Sequence, residues 1–330
     1  MTDGAGTRIA VLPELDPSTY ERHLLHAEDR VWVEKNCYVD IWIEVLHALG
    51  CDPMAMLPFV VGIDFEGDQW TFFKPPHEEL RGLYGLDVQE LNVWRPLIEH
   101  AREHLGAGKL ISTEADAFWL PDTHGTDYRR QHTKTTIVLN DLDLDHHRLG
   151  YFHNAGYFAV EGEDFDRLLR IGAAPDPTYM PLFAELIRSD RIVRREPARL
   201  RAMSSELLRT HLARRPTENP VLRFGRRFDR DLAWLTAEGL AFYHAWAFAT
   251  VRQLGAAAEL AALYVRWLGV PAVAEAGTSF DQISNAAKAL ILKGARVVNG
   301  KRPLDASALF AEMSGGWERA MELLTRTAEI

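Results

Sequence analysis

Apolar positions behind Cys37 recur at helical spacing. Ile41, Val45, Ala48 and Leu49, with Gly50 as the stop, predict an amphipathic helix that carries a thiol in its first turn. Further along, His132 opens a β-branched run, Thr133–Leu139, and after a polar turn Leu149–Phe152 reads as a second strand ending at His153-Asn154. Lys109–Trp119 predicts another strand, and Phe158–Val160 extends the same sheet. Val60–Phe65 and Trp70–Phe73 read as two strands around a Glu66-Gly67-Asp68 turn. Helical periodicity marks Glu78–Leu83, Trp94–Leu105 and Glu163–Ile171. Beyond Ala173-Ala174-Pro175-Asp176-Pro177, the best linker, strand patterning fades. Long helical runs follow, broken at Arg215-Pro216, Asn219-Pro220, Val270-Pro271, Asn299-Gly300 and Ser314-Gly315-Gly316. The expected architecture is therefore α+β over residues 1–175 and a helical domain over 176–330.

A chain of 330 residues, 47% hydrophobic and 25% charged, has the composition of a globular protein of two ordinary domains. Met1–Thr7 reads as a short polar tail without a leader peptide, and the apolar stretch 241–270 is interrupted by His244, Arg252, Gln253, Glu259 and Arg266. No membrane association is expected. Two cysteines, Cys37 and Cys51, make no disulfide framework and suit a reducing cytoplasm. The net charge of -10 is uneven: residues 1–180 carry 15 Lys+Arg against 31 Asp+Glu, and residues 181–330 carry 22 against 16. The arginine-rich zone that includes Arg194, Arg195 and Arg199 reads either as solvated helix faces or as a surface for an acidic partner.

Cysteine on a helix N-terminus, histidine leading a strand and an amide ending the next strand is the chain order of a papain-like Cys-His-Asn site. In that scheme the helix N-terminus favours the Cys37 thiolate, His132 is the base and Asn154 orients its ring. His153 is the competing base, with Asp116 or Asp141 to orient it. Asp116 either points into the cleft or faces water. The oxyanion is expected at the Cys37 backbone N–H with Asn36 or Gln131 as the side-chain donor, because Val31 stands where a papain-like protease has glutamine. Trp70, Phe72, Phe73, Trp119 and Tyr151 are candidates for a dry acceptor pocket, with core packing as the alternative. Neither a Cys-x-x-Cys nor a His-Glu-x-x-His pattern occurs, so no metal or other bound cofactor is expected. Phosphate-binding glycine loops and serine-hydrolase elbows are also missing.

Several strings resemble a bacterial family, DUF1839. They include Asn36-Cys37-Tyr38-Val39-Asp40, the segments 64–76 and 88–96, Asp116-Ala117-Phe118-Trp119-Leu120-Pro121-Asp122, Gln131-His132-Thr133-Lys134-Thr135-Thr136 and 149–157. That resemblance implies the handling of aminoacyl thioesters on carrier proteins. A more distant likeness, over the cysteine helix, the Asp116 string and the histidine strand, is to BtrH-type papain-like aminoacyltransferases of the butirosin pathway. It implies Cys37 as acyl acceptor, His132 as base and Asp116 nearby. The expected activity is aminoacyl transfer from the 4'-phosphopantetheine arm of an acidic carrier protein, through Cys37, to a small-molecule amine. An aminoacyl-tRNA donor, a cysteine hydrolase or peptidase, and a binding protein with a decayed site are the alternatives.

Overall fold

The computed structural model describes residues 8–174, 182–301 and 303–328. Two compact units emerge. The first comprises the described residues up to Leu24, Asn36–Asp52 and His77–Arg194; the second comprises Leu25–Lys35, Pro53–Pro76 and the chain from Arg195. The single boundary expected at 175/176 is replaced by this interleaved division, and the expected linker runs into residues outside those described.

The first unit is α+β. Its elements are β1 (Arg8–Ala10), α1 (Cys37–Ala48), α2 (His77–Tyr84), β2 (Val88–Glu90), α3 (Leu97–Gly106), β3 (Leu110–Asp116), β4 (Lys134–Asp143), β5 (Arg148–His153), β6 (Gly156–Glu161), α4 (Gly162–Leu168) and β7 (Ala184–Ile187). The strands form one antiparallel sheet in the order β2-β7-β3-β4-β5-β6, and β1 pairs with the far half of β4. Strand β7 lies past the region where strand patterning fades. Its four residues are all buried, too short a run to show alternation.

The pleat sorts the two faces of this sheet. Ile111, Ala115, Ile137, Leu139, Leu149, Tyr151 and Val160 pack with Ala101 and Leu105 of α3 and Phe165 and Leu168 of α4. Alternation sends their strand neighbours Glu114, Asp116, Lys134, Thr136, Val138 and Phe152 to the opposite face. Helix α1, which packs against β4, β5 and β6, covers that opposite face. A bulge between Leu139 and Asp141 shifts the alternation, so Leu142 rejoins the α3/α4 core.

The second unit is helical: α5 (Pro197–Ala213), α6 (Pro220–Glu238), α7 (Leu240–Ala249), α8 (Val251–Trp267), α9 (Pro271–Ala274), α10 (Ala276–Gly300) and α11 (Ser307–Ala328). Glu259 of α8 explains why residues 25–35 join it. Its carboxylate accepts the N–H groups of Val31 (2.8 Å) and Trp32 (3.1 Å), and the Trp32 indole donates to Ser284 on α10. The expected strand at 60–65 is instead the end of a buried 3-10 segment, Pro53–Gly62, held in part by Ser204 Oγ donating to Ala55 O. An unbroken apolar run fits a buried helical turn as well as a strand. Of the predicted hairpin the tip remains: the Phe65–Trp70 bridge, with the Glu66 N–H donating to Gln69 O and the Thr71 N–H to Asp64 O. The expected break at 314–316 is also absent: α11 runs through it. A Cβ on Gly316 would sit 3.1 Å from Ile283 and the Ser279 carbonyl, so this glycine serves close helix packing rather than a turn. Among the described residues no helix is long and apolar enough to cross a membrane.

Candidate active site

Asn36 starts α1. Its Oδ1 accepts the N–H groups of Tyr38 (3.1 Å) and Val39 (2.9 Å), a full N-cap that leaves Cys37 as the first helical residue. The side-chain oxygen expected near an oxyanion is thus committed to the cap. Cys37 is half-buried and free. Burial and the Asp40 carboxylate push its thiol above the ordinary range, against the opposing pull of the Cys37 and Tyr38 N–H groups and of Lys134. The expectation of a preformed thiolate is corrected here: desolvation and a buried acid outweigh the helix terminus.

This has a measurable consequence. Alkylation of Cys37 by iodoacetamide, followed peptide by peptide because Cys51 is also raised by burial, should keep climbing at pH values where an ordinary thiol has levelled off. Asp40→Asn should move the profile down in pH and Lys134→Gln should move it up. A wild-type plateau below pH about 8 would contradict this electrostatic balance.

The register of β3 on β4 pairs Asp116 with Lys134, which brings the end of one strand to the start of the other. His132, two residues before β4, donates from Nδ1 to Asp116 Oδ2 at 2.5 Å, and its ring stacks on Phe118 at 4.4 Å and 14°. Asp116 Oδ1 accepts the Phe118 N–H, which fixes the carboxylate. With Nδ1 bonded to the acid, Nε2 is the ring nitrogen left over, and among the described residues it has no hydrogen-bond partner. Its side chain is 68% exposed. Lys134, on the same face, donates to Glu114 at 2.6 Å and lies within electrostatic reach of Cys37. The structure therefore gathers Asp116, His132 and Lys134 where β3 ends and β4 begins, on the face of the sheet that α1 covers, with Lys134 within electrostatic reach of Cys37.

The orienting role expected of Asn154 falls to Asp116. Asn154 lies in the left-handed turn between β5 and β6 (φ 44°) and makes no side-chain hydrogen bond among the described residues. His153 is excluded as the partner of Cys37 by position and by bonding. It follows Tyr151 by two on β5, on the α3/α4 face, and its side chain is 2% exposed. Its Nδ1 donates to Asp122 Oδ2 (2.6 Å), the Thr135 hydroxyl donates to its Nε2 (2.8 Å), and Tyr151 gives its hydroxyl to Asp122 Oδ1 (2.5 Å). Asp141, the other proposed orienter, is held by Arg8 and Arg148.

The expected pocket residues scatter. Trp70 is buried in the second unit against Phe65 and Phe224, and Tyr151 belongs to the buried Asp122 network. Trp119 packs on the α3/α4 core beneath the Arg129 guanidinium (4.8 Å). Gln131 is exposed and ties down Asp127 at 2.8 Å. Arg194 is a helix cap: Nε and Nη2 both donate to Leu49 O at the end of α1. Arg199 is exposed and Arg195 half-buried, both at the start of the second unit. Beyond this zone, Arg223, Arg226 and Arg227 already pair with Asp64, Glu218 and Asp231.

Sequence reasoning missed three groups at the head of α1. The Tyr38 hydroxyl donates to Glu185 Oε2 (3.0 Å) and accepts from His77 Nε2 (2.7 Å), anchoring the turn that carries Cys37 to β7 and to the start of α2. Burial beside Glu185 raises the Tyr38 phenol. Tyr38 stands next to Cys37 in sequence, but Glu185 lies 147 positions further on and carries no local signal. Among the described residues no three His, Cys, Asp or Glu side chains converge as a metal site.

An antiparallel sheet with a cysteine-headed helix on one face and a helical unit beside it in the sequence defines an α+β protein with a candidate thiol site. The DUF1839 N-terminal domain matches residues 21–189 and the DUF1839 C-terminal domain matches residues 197–326. The chain belongs to the DUF1839 family. No curated protein matches it.

Proposed function

We propose that this chain is a papain-like cysteine acyltransferase that moves an aminoacyl group from a carrier-protein thioester to an amine. The reading rests above all on one observation, the His132–Asp116 pair with Nε2 unengaged, at the edge of the sheet face covered by the cysteine-headed helix. The raised thiol gives that imidazole its task. His132 Nε2 takes the Sγ proton as Cys37 attacks the thioester carbonyl, the carbonyl oxygen turns toward the Cys37 N–H, and the C–S bond to phosphopantetheine breaks. His132 returns the proton to the departing thiol. An acceptor amine then attacks the Cys37 thioester, His132 takes the amine proton, and the amide forms as Cys37 leaves and is reprotonated. Two free cysteines suit a reducing cytoplasm as its setting.

The exposure of His132 favours a second reading, a cysteine hydrolase, in which water replaces the amine. One experiment tests both. Intact mass after incubation with an aminoacyl-loaded carrier protein should show one aminoacyl mass on the chain, located on the Cys37 peptide and absent from Cys37→Ala. Release of that group as an amide when an amine is added supports transfer, and release as free amino acid regardless of amine supports hydrolysis. An adduct formed only from aminoacyl-tRNA, and lost with RNase, would change the donor. No adduct from any of these donors would end the covalent reading.

A further inference from the structure

Helix α7 is apolar but for the exposed His244, and only Tyr243 and Ala247 are buried. Phe242 (38%) and Phe248 (59%) stay exposed, and Phe242 meets the exposed Trp234 (47%) of α6 edge-on at 4.8 Å. Ala233, Ala237, Ala241, Ala245 and Ala249 are exposed around them. Water-facing aromatic rings set among small side chains mark a surface that another polypeptide covers.

The charges along α6 say which one. Arg230, Trp234 and Glu238 follow each other at i, i+4 and i+8, on one stripe of the helix. Arg230 and Glu238 are exposed, and among the described residues neither makes an ion pair. The sequence of plus, aromatic, minus is antisymmetric about Trp234. When two copies of α6 cross antiparallel about a two-fold axis at Trp234, each Arg230 meets the Glu238 of the other copy and the two indoles share the centre. A two-fold contact requires this self-complementarity, whereas a uniformly acidic or basic partner would leave one of the two charges opposed. The Arg227–Asp231 pair beside the stripe is neutral, and the exposed Asp229 adds one negative charge per copy, placed alike on both copies by the two-fold axis.

We infer that the α6–α7 face binds a second copy of this chain, with Trp234 at the two-fold axis and Arg230–Glu238 pairs on either side. Sedimentation of the full-length protein tests it. Wild type should be a dimer at concentrations of about 10–100 µM. Trp234→Asp should weaken association about 100-fold, as loss of a central aromatic anchor does. Arg230→Glu and Glu238→Arg alone each oppose like charges and should weaken it about tenfold, and the double swap should restore it. Circular dichroism and thermal midpoint of each variant establish that it is folded before its mass is read. A wild-type monomer at about 100 µM, single swaps without effect, or a double swap that fails to recover would each overturn the proposal.

Discussion

His132→Ala is expected to lower the rate of Cys37 acylation by about 10³–10⁴-fold, and Asp116→Asn by about 10²–10³-fold, while Asn154→Ala changes it less than about twofold. The order follows from the bonds. His132 carries a ring nitrogen, Nε2, with no hydrogen-bond partner among the described residues, and the thiol it must deprotonate is raised by burial and Asp40. Asp116 acts through His132, fixing the Nδ1–H tautomer and steadying the imidazolium, so its loss should mis-set the ring as well as slow the reaction. Asp116→Asn should therefore lower the maximal rate with little change in KM and should alter the shape of the pH profile. Asn154 touches neither group. Stopped-flow acylation with a small thioester, across pH, provides the measurement. Full activity in His132→Ala with loss in His153→Ala would reverse the assignment.

Asp122→Ala is expected to be the most destabilising single change in the first unit, by about 3–5 kcal/mol, and to act on folding rather than directly on chemistry. Asp122 (side chain 5% exposed) accepts from both the Tyr151 hydroxyl and His153 Nδ1. Removing the carboxylate leaves two buried donors without an acceptor and frees the Thr135–His153 bond that ties β4 to the end of β5. Tyr151→Phe removes one donor and keeps the acceptor bonded, so it should cost only about 1 kcal/mol. Urea unfolding followed by circular dichroism, with the first unit's transition fitted separately, gives both values. A loss below about 1 kcal/mol in Asp122→Ala would mean that solvent reaches these groups.

The candidate site was legible wherever its physics is local. The helix start at Cys37, the helical spacing behind it and the β-branched run after His132 are properties of short segments, and each appears close to where it was expected. The pairing of Asp116 with His132 was within reach, because the two lie only sixteen positions apart, one at the end of β3 and the other just before β4. Choosing between His132 and His153 was not. Both stand near strand ends beside polar residues, and what separates them is the side of the sheet on which each lies. That depends on the pleat and on which helices cover which face. Asp122 illustrates the same limit: it closes the same string that Asp116 opens, yet it belongs to the opposite side of the sheet.

The amino-acid sequence alone determined that a thiol heads a helix, that a histidine leads a strand, that the chain is α+β followed by helices, and that it resembles the family to which it belongs. Only the tertiary structure decided that burial and Asp40 push the thiol up rather than down, that an aspartate rather than an asparagine holds the histidine, and that residues 25–35 and 53–76 fold with the helical unit. The reason is range. Helix starts and strand runs arise from a few neighbouring residues, whereas burial, sheet face and partner choice depend on groups such as Asp40 and Lys134 around Cys37, or Glu259 beneath Val31 and Trp32, brought together by folding.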